Sequence, residues 1–163
     1  MSSNLKGKII WMTGGKRIGQ SIAVSLAEQG AEIIVSYRSS KEEAEEVVEK
    51  IKSVGGKSYI IQCDVSKRES VMEAVKEIEK EFKKIDILVL LASIFKPVKL
   101  ENISEADLDS NFATHVKGTF WPIQASLPLM KPGSHVVAIS DRTGIGRVYP
   151  GYLPYVVTKG AVS

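Results

Sequence analysis

The sequence of 163 residues predicts an α/β fold built on a doubly wound parallel sheet. Three observations point there: short apolar runs without alternation, amphipathic helical patterns between them, and helix-start signals at the joins. The apolar runs are KIIWMT (8–13), EIIVSY (32–37), SYIIQC (58–63), DILVLLA (86–92) and HVVAIS (135–140). Continuous apolar character is what strands buried on both faces require, because neither face meets water.

Between the first two runs, Ile18, Ile22, Ala23 and Leu26 mark one side of a helix. Ala44, Val47, Val48 and Ile51 recur at helical spacing after the second run, and Val71, Val75, Ile78 and Phe82 after the third. Ser40 with Glu43, Ser66 with Glu69 and Ser104 with Asp107 have capping-box spacing at helix starts. Phe112, Val116, Phe120, Ile123 and Leu127 then recur at near-helical intervals, with Trp121 on another side and Pro122 as a candidate kink. Pro154 suits the first turn of a last helix. Strand and helix alternate throughout, and residues 1–163 read as one domain with no repeat, linker or low-complexity tract.

Composition excludes several classes of function. The formal charge of +3 comes from 22 basic and 19 acidic residues, with no basic block or aromatic-interleaved stripe, so no nucleic-acid partner is expected. No stretch reaches the length of a membrane span, and MSSNLKGK lacks an apolar leader core, so the chain is expected to be soluble and cytoplasmic. Cys63 is the single cysteine and reads as a buried structural thiol, consistent with a reducing compartment. No metal site is expected.

In such a sheet ligands bind at the carboxyl ends of the strands, which here carry Gly14, Tyr37-Arg38, Asp64, Ala92-Ser93 and Asp141. Gly14, Gly15 and Gly19 permit a tight turn and close approach of a ligand, and the helix that follows offers free N–H groups and a positive dipole end. A pyrophosphate fits that description. The spacing G-G-x-x-x-G differs from the dinucleotide fingerprint, and glycines also serve ordinary strand-to-helix connections. After the second strand, where an acid would meet a ribose 2′-hydroxyl, the chain has SYRSS. Arg38 suits a 2′-phosphate instead, with Ser39 and Lys16 or Arg17 to help, so NADP(H) is expected in preference to NAD(H).

At this point the sequence resembles the short-chain dehydrogenase/reductases, along its whole length. TGGKRIG resembles the family's glycine loop, CDVS its adenine-contacting Asp-Val, LLAS its Asn-Asn-Ala-Gly strand end, and YVVTK its Tyr-x-x-x-Lys. The resemblance implies a Rossmann-like sheet, cofactor contacts from Gly14, Lys16, Arg17, Ile18 and Gly19, and from Arg38 and Ser39. It implies further contacts from Asp64, Val65, Ala92 and Ser93, with Tyr155 and Lys159 at the chemistry. Asp141 stands where the family has its catalytic serine, which together with TGGKRIG resembles the pteridine reductase branch. His115 stands where the family has an active-site Asn, and Asn111 lies one turn earlier on the same helix face; either, or neither, serves. The glycine loop is one residue shorter than the family's, and Leu90 and Leu91 replace the two asparagines.

Tyr-x-x-x-Lys occurs twice. Tyr37 and Lys41 straddle a strand end and a helix cap, whereas Tyr155 and Lys159 share one helix face. A tyrosine ionising near pH 10 is a poor acid or base near neutrality unless a cation favours its phenolate, a role that falls to Lys159. An ionised Asp141 beside that phenolate would oppose the lysine.

The reading is an NADPH-dependent reductase of a small carbonyl or pteridine-like compound, with catalytic residues Tyr155, Lys159, Asp141 and His115. The alternative is a catalytically inert nucleotide-binding module. The resemblance further implies a homo-oligomer. It also implies strands and helices beyond YVVTKGAVS, so the chain reads as truncated and its sheet as incomplete at the C-terminal edge.

Overall fold

The computed structural model describes residues 5–163; the first four residues of the expected 1–163 domain lie outside the described residues. The described residues form the strands β1 (Ile9–Thr13), β2 (Glu32–Tyr37), β3 (Lys57–Gln62), β4 (Ile87–Leu90) and β5 (His135–Ala138). They pair in parallel in the order β3-β2-β1-β4-β5. The chain thus winds outward from β1 in one direction, then returns to build the other half, and the crevice beside β1 and β4 is the switch point of such a sheet. Thr13 at the end of β1 is level with Ser36 of β2 and Leu90 of β4, so the loops that follow these strands emerge together.

Between the strands run α1 (Ile18–Glu28), α2 (Lys41–Ser53) and α3 (Arg68–Phe82). From β4 the chain passes through α4 (Glu105–Asn111), a π-helical turn Phe112–Lys117 and α5 (Gly118–Ser126), and after β5 through α6 (Leu153–Val162).

Alternation along each strand explains the continuous apolar runs. Ile10, Met12, Ile33 and Val35 face Ala23 and Ala27 of α1 and Val47 and Ile51 of α2. Trp11, Ile34, Ile61 and Leu88 face the other side, with Val71, Val75 and Ile78 of α3. Each fully buried isoleucine or leucine in these layers contributes about 1.5–3 kcal/mol by leaving water. The one indole in the core is satisfied: Trp11 Nε1 donates to Ser36 Oγ at 2.6 Å. Cys63 is buried in the same layer, and burial pushes its thiol up to about 12, in keeping with an inert structural role.

Several expectations are corrected. All four residues of β5 are exposed, so its apolar run reflects an edge strand and not burial on both faces. Ile18 is 71% exposed, because the packing stripe of α1 runs through Gly19, Ala23 and Ala27, about 100–180° around the helix from it. Of the three capping boxes only Ser104 with Asp107 forms. Glu43 instead pairs with Lys16, and the Ser66 hydroxyl turns to Asp64 Oδ1 at 2.6 Å.

Candidate active site

The site is built at the carboxyl ends of the strands, beginning with the loop after β1. Gly14 has φ +88°, a left-handed conformation, and a Cβ there would sit 3.0 Å from the Ala92 backbone nitrogen. Gly19 lies directly against the Gly14 carbonyl oxygen, so any side chain at either glycine would force the loop open. Arg17 at the N-cap of α1 is held at φ 51°, ψ −110°, and supplies no side-chain cap; the Gly19 and Gln20 N–H groups bond instead to the Lys16 and Arg17 carbonyls at 3.0 and 3.1 Å.

The residues expected around a cofactor gather along the same edge. Arg38 and Ser39 are exposed after β2, and the Arg38 side chain makes no ion pair among the described residues. Lys16 spends its charge on Glu43 of α2. After β3, Asp64 Oδ1 accepts both the N–H and the hydroxyl of Ser66, and its own N–H donates to Ser70 Oγ, tying the strand end to α3. Val65 is buried under Gly118, and Ala92 lies beside Gly14.

The second cluster assembles from α6, the segment after β5 and the π-helical turn. Tyr155 donates its hydroxyl to Asp141 Oδ2 at 2.7 Å. Asp141 caps the short 3-10 turn Arg142–Ile145, its Oδ1 accepting from the Thr143 N–H at 3.0 Å and from the Tyr149 hydroxyl at 3.3 Å. Partial burial pushes the Asp141 carboxyl up. The hydrogen bonds from Tyr155, Thr143 and Tyr149 with the nearby Arg142 charge outweigh that and hold it below the usual carboxylate range. For Tyr155, burial and then the bond to Asp141 and its charge push the phenol well above its ordinary value.

Lys159 shares α6 with Tyr155. It is buried and donates from Nζ to the Ile139 carbonyl, just beyond β5, at 2.7 Å. Burial lowers its ammonium, partly offset by Asp141. Tyr37 and Lys41 part as expected: the tyrosine ends β2, and the lysine pairs with Glu45 on α2.

His115 is buried in the π-helical turn, a local widening frequently found at functional sites. Its Nε2 accepts the Ile94 N–H at 2.9 Å and lies 3.0 Å from Ser93 Oγ. That assigns the ring hydrogen to Nδ1, which donates to Thr158 Oγ1 at 2.7 Å; the threonine in turn donates back to the Pro154 carbonyl at 2.8 Å. Burial first, then the Lys159 charge, push the imidazole down to about 4, so it is neutral near pH 7. Asn111 turns away, its Nδ2 bonded to the Asp107 carbonyl of its own helix.

Sequence reasoning missed the aromatic wall beside Tyr155. Phe95 stacks on Tyr152 with centroids 4.1 Å apart and meets Tyr155 edge-on at 4.8 Å. Val98 N–H bonds to the Gly151 carbonyl at 2.7 Å, fastening the loop after β4 to the segment that carries Tyr149. Tyrosines at 149, 152 and 155, three apart before a helix, were the available signal. No group of three or more His, Cys, Asp or Glu side chains able to hold a metal is found among the described residues. Nor is any helix among them long and apolar enough to cross a membrane.

Residues 8–163 match the family profile of the short chain dehydrogenases. The chain is 39% identical over 153 residues to a 3-oxoacyl-(acyl-carrier-protein) reductase FabG of Staphylococcus epidermidis, covering 93% of this chain and 63% of the relative. It is 33% identical over 165 residues to versicolorin reductase 1 of Aspergillus parasiticus, 99% of this chain and 63% of that protein. The chain therefore spans under two thirds of the length of these curated relatives. Among solved structures, a dehydrogenase/reductase from Sinorhizobium meliloti superposes with a TM-score of 0.93 at 31% identity, over 99% of this chain and 64% of the other. A short chain dehydrogenase from Burkholderia cenocepacia in complex with NADP gives 0.91 at 30% identity, over 98% and 66%.

Proposed function

As this chain belongs to the short-chain dehydrogenase/reductase family, we propose that it forms the dinucleotide-binding domain and proton-donating centre of an NADPH-dependent reductase of a small carbonyl or pteridine-like compound. The observation that carries the reading is the Tyr155 phenol, held protonated on Asp141 at the same end of the sheet as the glycine loop.

The residues present fit the cofactor. Gly14 and Gly19 let the loop fold tightly against itself and Ala92, which brings the positive end of α1 to where a pyrophosphate would lie, and Arg38 stands exposed where a 2′-phosphate would lie. When bound, NADPH supplies a hydride. Tyr155 then delivers its proton to the substrate oxygen as negative charge develops there. Lys159, braced on Ile139, and His115, braced between Ile94 and Thr158, set the position of α6 against the strand ends. Asp141 in the serine's place supports the pteridine-like option, because a carboxylate accepts from polar ring N–H groups where a hydroxyl would also donate.

One observation favours the inert nucleotide-binding module: the Lys159 ammonium goes to a backbone carbonyl and not to the phenol. A panel of ketones, 3-oxoacyl thioesters and pterins with NADPH separates the two. Consumption of NADPH with any of them supports the reductase; binding without turnover across the panel supports the module.

A further inference from the structure

We propose that Glu43 sets how strongly this chain prefers a dinucleotide with a 2′-phosphate over one without, by holding the Lys16 ammonium that such a phosphate draws on; the inference rests on the glycine loop being the cofactor site. Lys16 lies in that loop, between Gly15 and Arg17, and Glu43 lies in the first turn of α2. The two side chains form an ion pair. Among the described residues it is the one ion pair that joins the glycine loop to α2.

The fold brings the partners together. Gly15 lies so close to β2 and α2 that a Cβ on it would sit 2.7 Å from Val35 Cγ1 and 3.7 Å from Val47 Cγ2. The loop therefore rests on α2, and its next residue, Lys16, meets the acid one turn before Val47. The positive end of α2 favours an acid in that first turn. The next acids along the helix are engaged elsewhere, Glu45 with Lys41 and Glu49 with Lys52. Arg38 and Ser39 precede the same helix start, whose N-cap is Ser40. Arg38 is tied at its backbone, where its carbonyl accepts from Gln62 Nε2 at 3.2 Å, while its guanidinium has no ion pair among the described residues. The corner thus holds one open cation and one that an internal carboxylate already occupies.

Lys16 is exposed and Glu43 half-buried, so an incoming anion reaches the pair, and the pair has only the strength of a surface contact. A phosphate monoester carries about −1.5 to −2 charges near pH 7 and competes with the single charge of Glu43 for the ammonium. Once Lys16 turns to the phosphate, Glu43 stays ionised beside it and repels it. Both effects weaken binding of a 2′-phosphorylated dinucleotide. Neither acts on NAD(H), which has a neutral hydroxyl at that position. Glu43 is therefore a brake on the preference that Arg38 creates.

Fluorescence titration of the full chain with NADPH and with NADH tests this without any need for turnover. Glu43→Gln is expected to bind NADPH about three- to tenfold tighter and NADH less than about twofold tighter, with the NADPH gain shrinking as salt is added. In a Lys16→Met background the same substitution should gain about twofold or less, because the ammonium it releases is missing. No gain for NADPH, an equal gain for both nucleotides, or the full gain without Lys16 overturns the inference. If the wild type binds both nucleotides and one of these results follows, the cofactor site stands and only the role of Glu43 fails. A wild type that binds neither nucleotide overturns the cofactor site and this role together.

Discussion

The hydroxyl of Tyr155 lies 2.7 Å from Oδ2 of Asp141 and donates to it, which makes the phenol's proton, and not its phenolate, the form the site stabilises. Neutralising the carboxylate removes both the acceptor and the charge that hold that proton. Asp141→Asn should therefore let Tyr155 ionise at lower pH, read as a shift of one tyrosine in an ultraviolet titration between wild type and variant. An unmoved titration curve would show that the two groups are not coupled in solution.

Arg38 faces solvent at the end of β2 with no carboxylate paired to it among the described residues. A charge-assisted pairing with a 2′-phosphate contributes about 1.5–3 kcal/mol, or roughly 10- to 100-fold in affinity. Fluorescence titration should show NADPH bound tighter than NADH by that range, and Arg38→Asp should reverse the preference. Equal affinities in the wild type would remove Arg38 from the cofactor site.

His115 gives the fold its own pH dependence. Its imidazole titrates near 6.5 when unfolded and is pushed down to about 4 when folded, so between these values the unfolded chain binds more protons. Stability from this group is fully present above pH 6.5 and is lost as pH falls toward 4, by up to about 3 kcal/mol. Urea midpoints measured from pH 7 to 4.5 should fall in the wild type and fall less steeply in His115→Gln. Parallel slopes would show that the ring is not buried neutral.

Much of this was legible in the sequence, and particular residues show why. Ile10 and Trp11 are neighbours that feed opposite layers, so β1 had to be a continuous apolar run. The run at β5 looks the same in sequence, yet its residues are exposed, because a run reports what a strand can bury and not what lies against it. Ser104 and Asp107 close their capping box because nothing competes, while Glu43 is drawn to Lys16 and Ser66 to Asp64, partners that only the tertiary fold brings near. At the site, Tyr155, Asp141 and Lys159 could be singled out by spacing and resemblance. The turn of Lys159 toward Ile139 and the bond from Tyr149 to Asp141 could not, since both cross between segments that share no periodicity.

The outer face of the α4 to α5 stretch leaves large side chains in water: Phe120 is 53% exposed and Leu127 60%. Trp121 instead packs inward with Arg68 over its ring at 5.6 Å. We propose that this apolar patch pairs with a second copy of the chain. Light scattering at micromolar concentration should return a mass above that of one chain, and Phe120→Lys should lower it. A monomeric wild type would contradict the assignment.

The account turns on Tyr155 as proton donor, and Tyr155→Phe tests it most directly because the ring and its contacts with Phe95 remain. Turnover with NADPH and the best substrate of the panel should fall by about 10² to 10⁴, with NADPH affinity changed by no more than about twofold. Turnover equal to wild type at unchanged affinity would contradict it.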